Sequence, residues 1–254
     1  MIRLCLLLAL AALAGCAPHP PREDPLNPKV DVTSRARIHT ELGTAYLGNN
    51  QISVALEEYR EALAADPGYA PAYNQMGLAY MALNDDAQAQ QAFERSLKLD
   101  PHDSSANNNY GMFLCQRKRD KEAFKYFMTA LKNPLYTTPE NAYTNAGICA
   151  QLQGDDARAE EWLRKALALQ PNQPQALYYL AETSFRRGEL QAARTLLTRH
   201  MRNVGQPSAD ALWLGARIEN RMGDRTALAS YGAQLNNRFP NAAQTKAFNE
   251  GKFK

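Results

Sequence analysis

A small residue returns along this chain at a nearly fixed interval. Gly43, Gly77 and Gly111 lie 34 residues apart, Gly147 follows after 36, and Ala181 and Gly215 follow after 34 and 34. A side chain of almost no volume at a fixed period means that one close approach between two segments is built again and again. Composition says what kind of segment. The chain holds 41 Ala and 31 Leu, but Val and Ile together number only 9. Sheet cores draw on β-branched residues, so an all-α fold is expected. With 29 Lys+Arg against 26 Asp+Glu, the net charge of +3 lacks the basic excess of a dedicated nucleic-acid binder.

The residues around the small position repeat with it. The first unit carries Leu42-Gly43, Tyr46, Ala55, Tyr59, Ala62 and Pro67; the second carries Met76-Gly77, Tyr80, Ala89, Phe93, Ser96 and Pro101. Tyr110-Gly111 with Phe127, Ala146-Gly147 with Leu163, Leu180-Ala181 with Leu197, and Leu214-Gly215 with Tyr231 continue the series. This order and period resemble the tetratricopeptide repeat. The resemblance implies a right-handed superhelical solenoid of six helix-turn-helix units over residues 36–241, followed by a C-terminal tail, 242–254. Residues three and four apart share a helix face, so Leu42, Tyr46 and their equivalents make an apolar stripe that only a stacked neighbour can bury. The two extra residues near Pro134-Leu135-Tyr136-Thr137-Thr138-Pro139 predict a longer inter-repeat loop.

Ahead of the repeats, Arg3 precedes an apolar run from Leu4 to Leu13, too short to span a bilayer but suited to a signal peptide. Leu13-Ala14-Gly15-Cys16 resembles a bacterial lipobox, which implies cleavage after residue 15 and acylation of Cys16. The alternative is an ordinary secretory signal cut after Ala14, with Cys16 an incidental thiol. Acyl chains contribute about 0.8 kcal/mol per buried CH₂, so three of them anchor firmly. Residue 17 is Ala rather than the Asp that retains lipoproteins at the inner membrane, so outer-membrane anchoring on the periplasmic side is expected. Five prolines between residues 17 and 32 make the segment 16–35 an extended tether.

Catalysis needs a constellation, and the sequence offers none. His19, His39, His102 and His200 lack zinc-site spacing, and no P-loop, dinucleotide or nucleophile-elbow motif occurs. The chain therefore reads as a non-enzyme, with no cofactor, metal, small-molecule substrate or nucleic acid. Cys5 leaves with the signal and Cys16 is acylated, which leaves Cys115 and Cys149 in an oxidising compartment. Both sit late on the first helices of adjacent repeats. First helices packed about 8–10 Å apart permit a disulfide without requiring it, and two buried thiols are the other possibility.

In the tetratricopeptide repeat, groove positions lie three before, one after and four after the small residue. They select Thr40, Thr44 and Leu47; Asn74, Leu78 and Met81; Asn108, Met112 and Cys115; Thr144, Ile148 and Gln151; and Tyr178, Glu182 and Phe185. The Lys/Asn/Arg clamp that captures a C-terminal carboxylate is missing from the first three repeats. Candidate partner-binding residues are instead Leu47, Leu78, Met81 and Met112 for apolar side chains, with Asn74 and Asn108 for a peptide backbone. The same residues could equally pack against a neighbouring repeat. Leu47 is favoured, because a terminal repeat has no upstream neighbour.

Lipobox, proline-rich tether, six repeats and the cysteine-bearing stretches Asn107–Cys115 and Asn145–Cys149 together resemble the type IV pilus biogenesis lipoproteins of the PilF/PilW type. That resemblance implies a pilotin, an adaptor that binds the secretin subunit and promotes its outer-membrane localisation and multimerisation, for pilus biogenesis and twitching motility. A scaffold for cell-wall synthesis or outer-membrane protein assembly would share most of these features.

Overall fold

The computed structural model describes residues 32–253, and the regular elements among them are α-helices throughout. The expected signal sequence and lipobox with Cys16, and most of the expected tether, lie outside the described residues. Six antiparallel pairs follow in order: α1 (Val32–Gly48) with α2 (Ile52–Ala65), α3 (Ala70–Ala82) with α4 (Asp86–Leu99), α5 (Ser104–Gln116) with α6 (Asp120–Lys132), α7 (Pro139–Leu152) with α8 (Asp156–Leu169), α9 (Pro174–Arg186) with α10 (Leu190–Asn203), and α11 (Ala209–Met222) with α12 (Arg225–Arg238). A thirteenth helix, α13 (Ala243–Asn249), closes the stack. Each first helix packs on its own partner, on the second helix before it and on the first helix of the next pair, which makes a solenoid.

The small residue does what its period implies. A methyl group placed on Gly77 would stand 2.6 Å from the Phe93 ring, and one on Gly111 would stand 2.7 Å from Phe127. Gly43 meets Tyr59, Gly147 meets Leu163 and Gly215 meets Tyr231 in the same way. The fifth repeat has Ala181 at this point, opposite Leu197 rather than an aromatic ring. These rings and side chains sit in the seam between the two helices of a pair, where dense packing leaves no slack.

A second period runs beside the first. Asn50, Asn84, Lys118, Gly154 and Gly188 each stand seven residues after the small position, and each has a positive φ, from 57° to 80°. They turn the chain from first helix to second; Gly223 does so one residue later, at φ 79°. Gly and Asn tolerate this left-handed conformation, which is why the turns recruit them. Aspartates then start the second helices: Asp85, Asp155 and Asp224 each accept a hydrogen bond from a backbone N–H in the first turn, at 3.0–3.1 Å. Asp103 and Ser208 cap first helices likewise.

The register break is a loop. Residues 133–138 join α6 to α7, six residues where the connections after α2, α4 and α8 have four. Two boundaries differ from the sequence reading. Helix α1 begins at Val32, inside the segment assigned to the tether, since the last of that segment's prolines is Pro28. The C-terminal segment is not a plain tail: α13 packs on α11 and α12, and Phe248 covers Gly232. Phe253 stacks on Trp213, with ring centroids 5.5 Å apart, so the last repeat is capped. At the other end, among the described residues, Leu42 and Ile38 of α1 are exposed.

Candidate functional site: the first-helix groove

Adjacent first helices meet along the concave side, through the side chain four after the small position on one helix and two after it on the next. The chemistry of that meeting changes at each step. Leu47 packs with Ala79, and Met81 with Phe113. Cys115 and Cys149 are joined by a disulfide, with Cα atoms 5.7 Å apart and both residues buried. Gln151 then donates to the Thr183 hydroxyl at 3.1 Å. At the last step the Arg217 guanidinium lies over the Phe185 ring, 4.5 Å from its centroid.

One turn nearer the N-termini of these helices, asparagines bridge the same helices. Asn109 Nδ2 donates to Asn74 Oδ1 at 3.1 Å, and Asn145 Nδ2 donates to Asn108 Oδ1 at 3.0 Å. Asn108 also donates to Asn109, at 3.4 Å, which links the two pairs into one amide ladder over α3, α5 and α7. Of the two readings open to Asn74 and Asn108, the structure has them packed against a neighbouring repeat rather than lining an open groove. Both are buried, because the neighbouring first helix brings its own asparagine across them. An amide is well suited to such a ladder, since it donates and accepts at once.

The four apolar candidates fare differently. Leu47, Leu78, Met81 and Met112 are each half-buried: their inner sides pack on the repeat cores while the rest faces the groove. They form a row across the first three repeats, beginning with Leu47 on α1. Of the other groove positions, Thr144, Ile148 and Gln151 are buried and Thr44 is exposed. Sequence reasoning missed the ladder partners Asn109 and Asn145, and also Arg217, because it selected groove positions one helix at a time. The 35- and 37-residue spacings of Asn74/Asn109 and Asn108/Asn145, each one more than the local repeat, were the available signal.

Farther along, Glu182 on α9 faces a crowded polar region. Burial raises its carboxyl above the usual glutamate range, with Arg186 on the same helix and Arg217 on α11 opposing, and Asp210 and Asp156 reinforcing. A carboxyl that holds its proton more tightly in the folded state favours folding at low pH, and that contribution is lost as pH rises through the raised value. Glu182→Gln is therefore expected to raise the melting temperature at neutral pH and to change it little near pH 4. Thermal unfolding across that range checks the sign. Two of the histidines have structural partners: His39 Nδ1 meets Glu58 at 2.7 Å, and His200 Nδ1 meets the Pro174 carbonyl at 2.9 Å. Among the described residues no group of three or more His, Cys, Asp or Glu could hold a metal ion.

The helix pairs and their groove define a tetratricopeptide-repeat protein, and the sequence pattern of that repeat matches residues 70–103 and, in a second form, 40–86 and 153–206. The crystal structure of PilW, a widely conserved type IV pilus biogenesis factor, is 34% identical and superposes with a TM-score of 0.75 over 84% of this chain and 97% of that one. The structure of Pseudomonas aeruginosa PilF is 27% identical, with a TM-score of 0.74 over 87% and 99%. The chain belongs to this PilF/PilW family of type IV pilus biogenesis proteins. Direct alignment with the type IV pilus assembly protein PilF of Pseudomonas aeruginosa PAO1 gives 29% identity over 117 residues, a stretch that spans 46% of each chain and so under half of that relative's length.

Proposed function

We propose that this protein is an outer-membrane lipoprotein adaptor of the pilotin kind. Cys16 carries the acyl anchor, and the groove holds a segment of the type IV pilus secretin while that subunit reaches the membrane and multimerises. The observation that carries this reading is the half-buried row Leu47, Leu78, Met81 and Met112, set on successive first helices of a chain from a pilus biogenesis family. A row of adaptable apolar side chains at one repeat per step suits an extended or helical protein segment. Confinement at the membrane raises the local concentration of secretin, and no bond in the partner is made or broken.

A strain lacking the protein is expected to accumulate monomeric or misplaced secretin and to lose twitching motility. Complementation with Leu47→Asp/Met81→Asp should fail to restore heat-stable multimers, even though the variant is folded and membrane-bound. Cys16→Ser should abolish incorporation of labelled palmitate and release the protein from the outer membrane. Normal secretin multimers in the deletion strain would refute the pilotin reading; normal multimers with the double variant would move the binding surface elsewhere.

A further inference from the structure

Charge is distributed unevenly along the solenoid. Residues 32–102 hold five Lys and Arg against nine Asp and Glu; residues 171–253 hold eleven against six. Part of the basic excess is taken up by ion pairs within the chain, Arg186 with Asp156, Arg187 with Glu160, and Arg194 with Glu219. Arg217 and Arg221, one turn apart on α11, are different. Both guanidinium groups lie over Phe185, at 4.5 and 5.1 Å from the ring centroid, and Arg221 also donates to the Phe185 carbonyl at 3.2 Å. Among the described residues no carboxylate stands within ion-pair distance of either. The Nε of Arg217 is buried and has no hydrogen-bond partner.

Two guanidinium groups held over one aromatic ring, neither paired with a carboxylate, bring together donors of the kind that receive a carboxylate or another oxyanion. The acid beside them, Glu182, faces Arg186 as well as Arg217, and its burial raises its carboxyl above the usual glutamate range. The flanks indicate which anion fits. Two residues before the small position, where the middle repeats carry Asn109 and Asn145, the last two carry Tyr179 and Trp213, both half-buried. The stripe that begins as an amide ladder thus ends in aromatic walls beside the arginine fork, a lining suited to the side chains of an extended peptide.

We propose that the groove between α9 and α11 is an anion-binding subsite, with Arg217 and Arg221 as its fork, and that its occupant is an acidic peptide segment of a protein partner. It is a second recognition point on the groove, remote from the apolar row of the first three repeats, and it stands whether or not that row binds a secretin.

The test uses the full chain and a fluorescent hexaglutamate probe, followed by anisotropy at low and physiological salt. Hexaglutamate is expected to bind, to weaken as salt rises, and to lose about tenfold or more in affinity with Arg217→Gln/Arg221→Gln. Arg199→Gln/Arg202→Gln removes the same charge from α10 and should leave binding within about twofold. Should the first pair unfold, Arg221→Gln alone carries the comparison, since its side chain is exposed. An equal loss in both double variants would reduce the effect to bulk charge and overturn the site. No binding of hexaglutamate, or its displacement by inorganic phosphate at equal concentration, would overturn the peptide assignment. So would binding to anionic phospholipid vesicles that hexaglutamate cannot compete.

Discussion

Replacing both Cys115 and Cys149 with alanine is expected to lower the free energy of unfolding by about 2–4 kcal/mol, the range for a cross-link that closes a loop of this size. The bond joins residues 34 apart in sequence, on α5 and α7. It spans the one junction where the connecting loop grows from four residues to six, so it ties together the two repeats whose covalent connection is longest. Denaturant titration of the oxidised wild type, the reduced wild type and the double variant reads the effect. The reduced protein should fall close to the variant, and thiol titration of the oxidised, denatured protein should find no free sulfhydryl at these positions. An unchanged midpoint on reduction would show that packing alone holds the junction.

Gly77→Ala should cost about 1–3 kcal/mol, although alanine is the better helix former by about 1 kcal/mol. The added methyl would sit 2.6 Å from Phe93, a fully buried ring with no room to retreat. The fifth repeat is the natural control, because there Ala181 faces Leu197. Gly77→Ala/Phe93→Leu copies that arrangement and should recover much of the loss incurred by Gly77→Ala. A double-mutant cycle measures the coupling between the two sites, expected at about 1 kcal/mol or more. Additive costs would mean that the glycine serves some purpose other than clearing space for the ring.

The repeated unit was legible because its cause is local. Gly77 and Phe93 belong to one helix pair, and their separation of 16 residues recurs at Gly43/Tyr59, Gly111/Phe127 and Gly215/Tyr231. The groove was legible only in part. Whether Asn74 faces solvent or a neighbour depends on how the next repeat is rotated onto it, and helical periodicity within α3 carries no record of that rotation. Leu47, Leu78, Met81 and Met112 keep part of their surface open, whereas Asn74 and Asn108, in the same repeats, do not, and no pattern within one helix separates the two sets. Helix α13 escaped notice because seven residues are too few to show a period. Its one strong mark, Phe248 placed 16 residues after Gly232, is the familiar spacing displaced onto α12 and α13.

The unequal joints between first helices give the molecule the mechanics of a spring wound from different wires. Its middle coils are welded by sulfur and laced by amides, whereas the outer joints rest on oily or stacked side chains, with one hydrogen bond from Arg221 to the Phe185 carbonyl at the last of them. Deuterium uptake should therefore advance from both extremities and reach α5 and α7 last. A spring of that construction bends its two arms about a stiff waist.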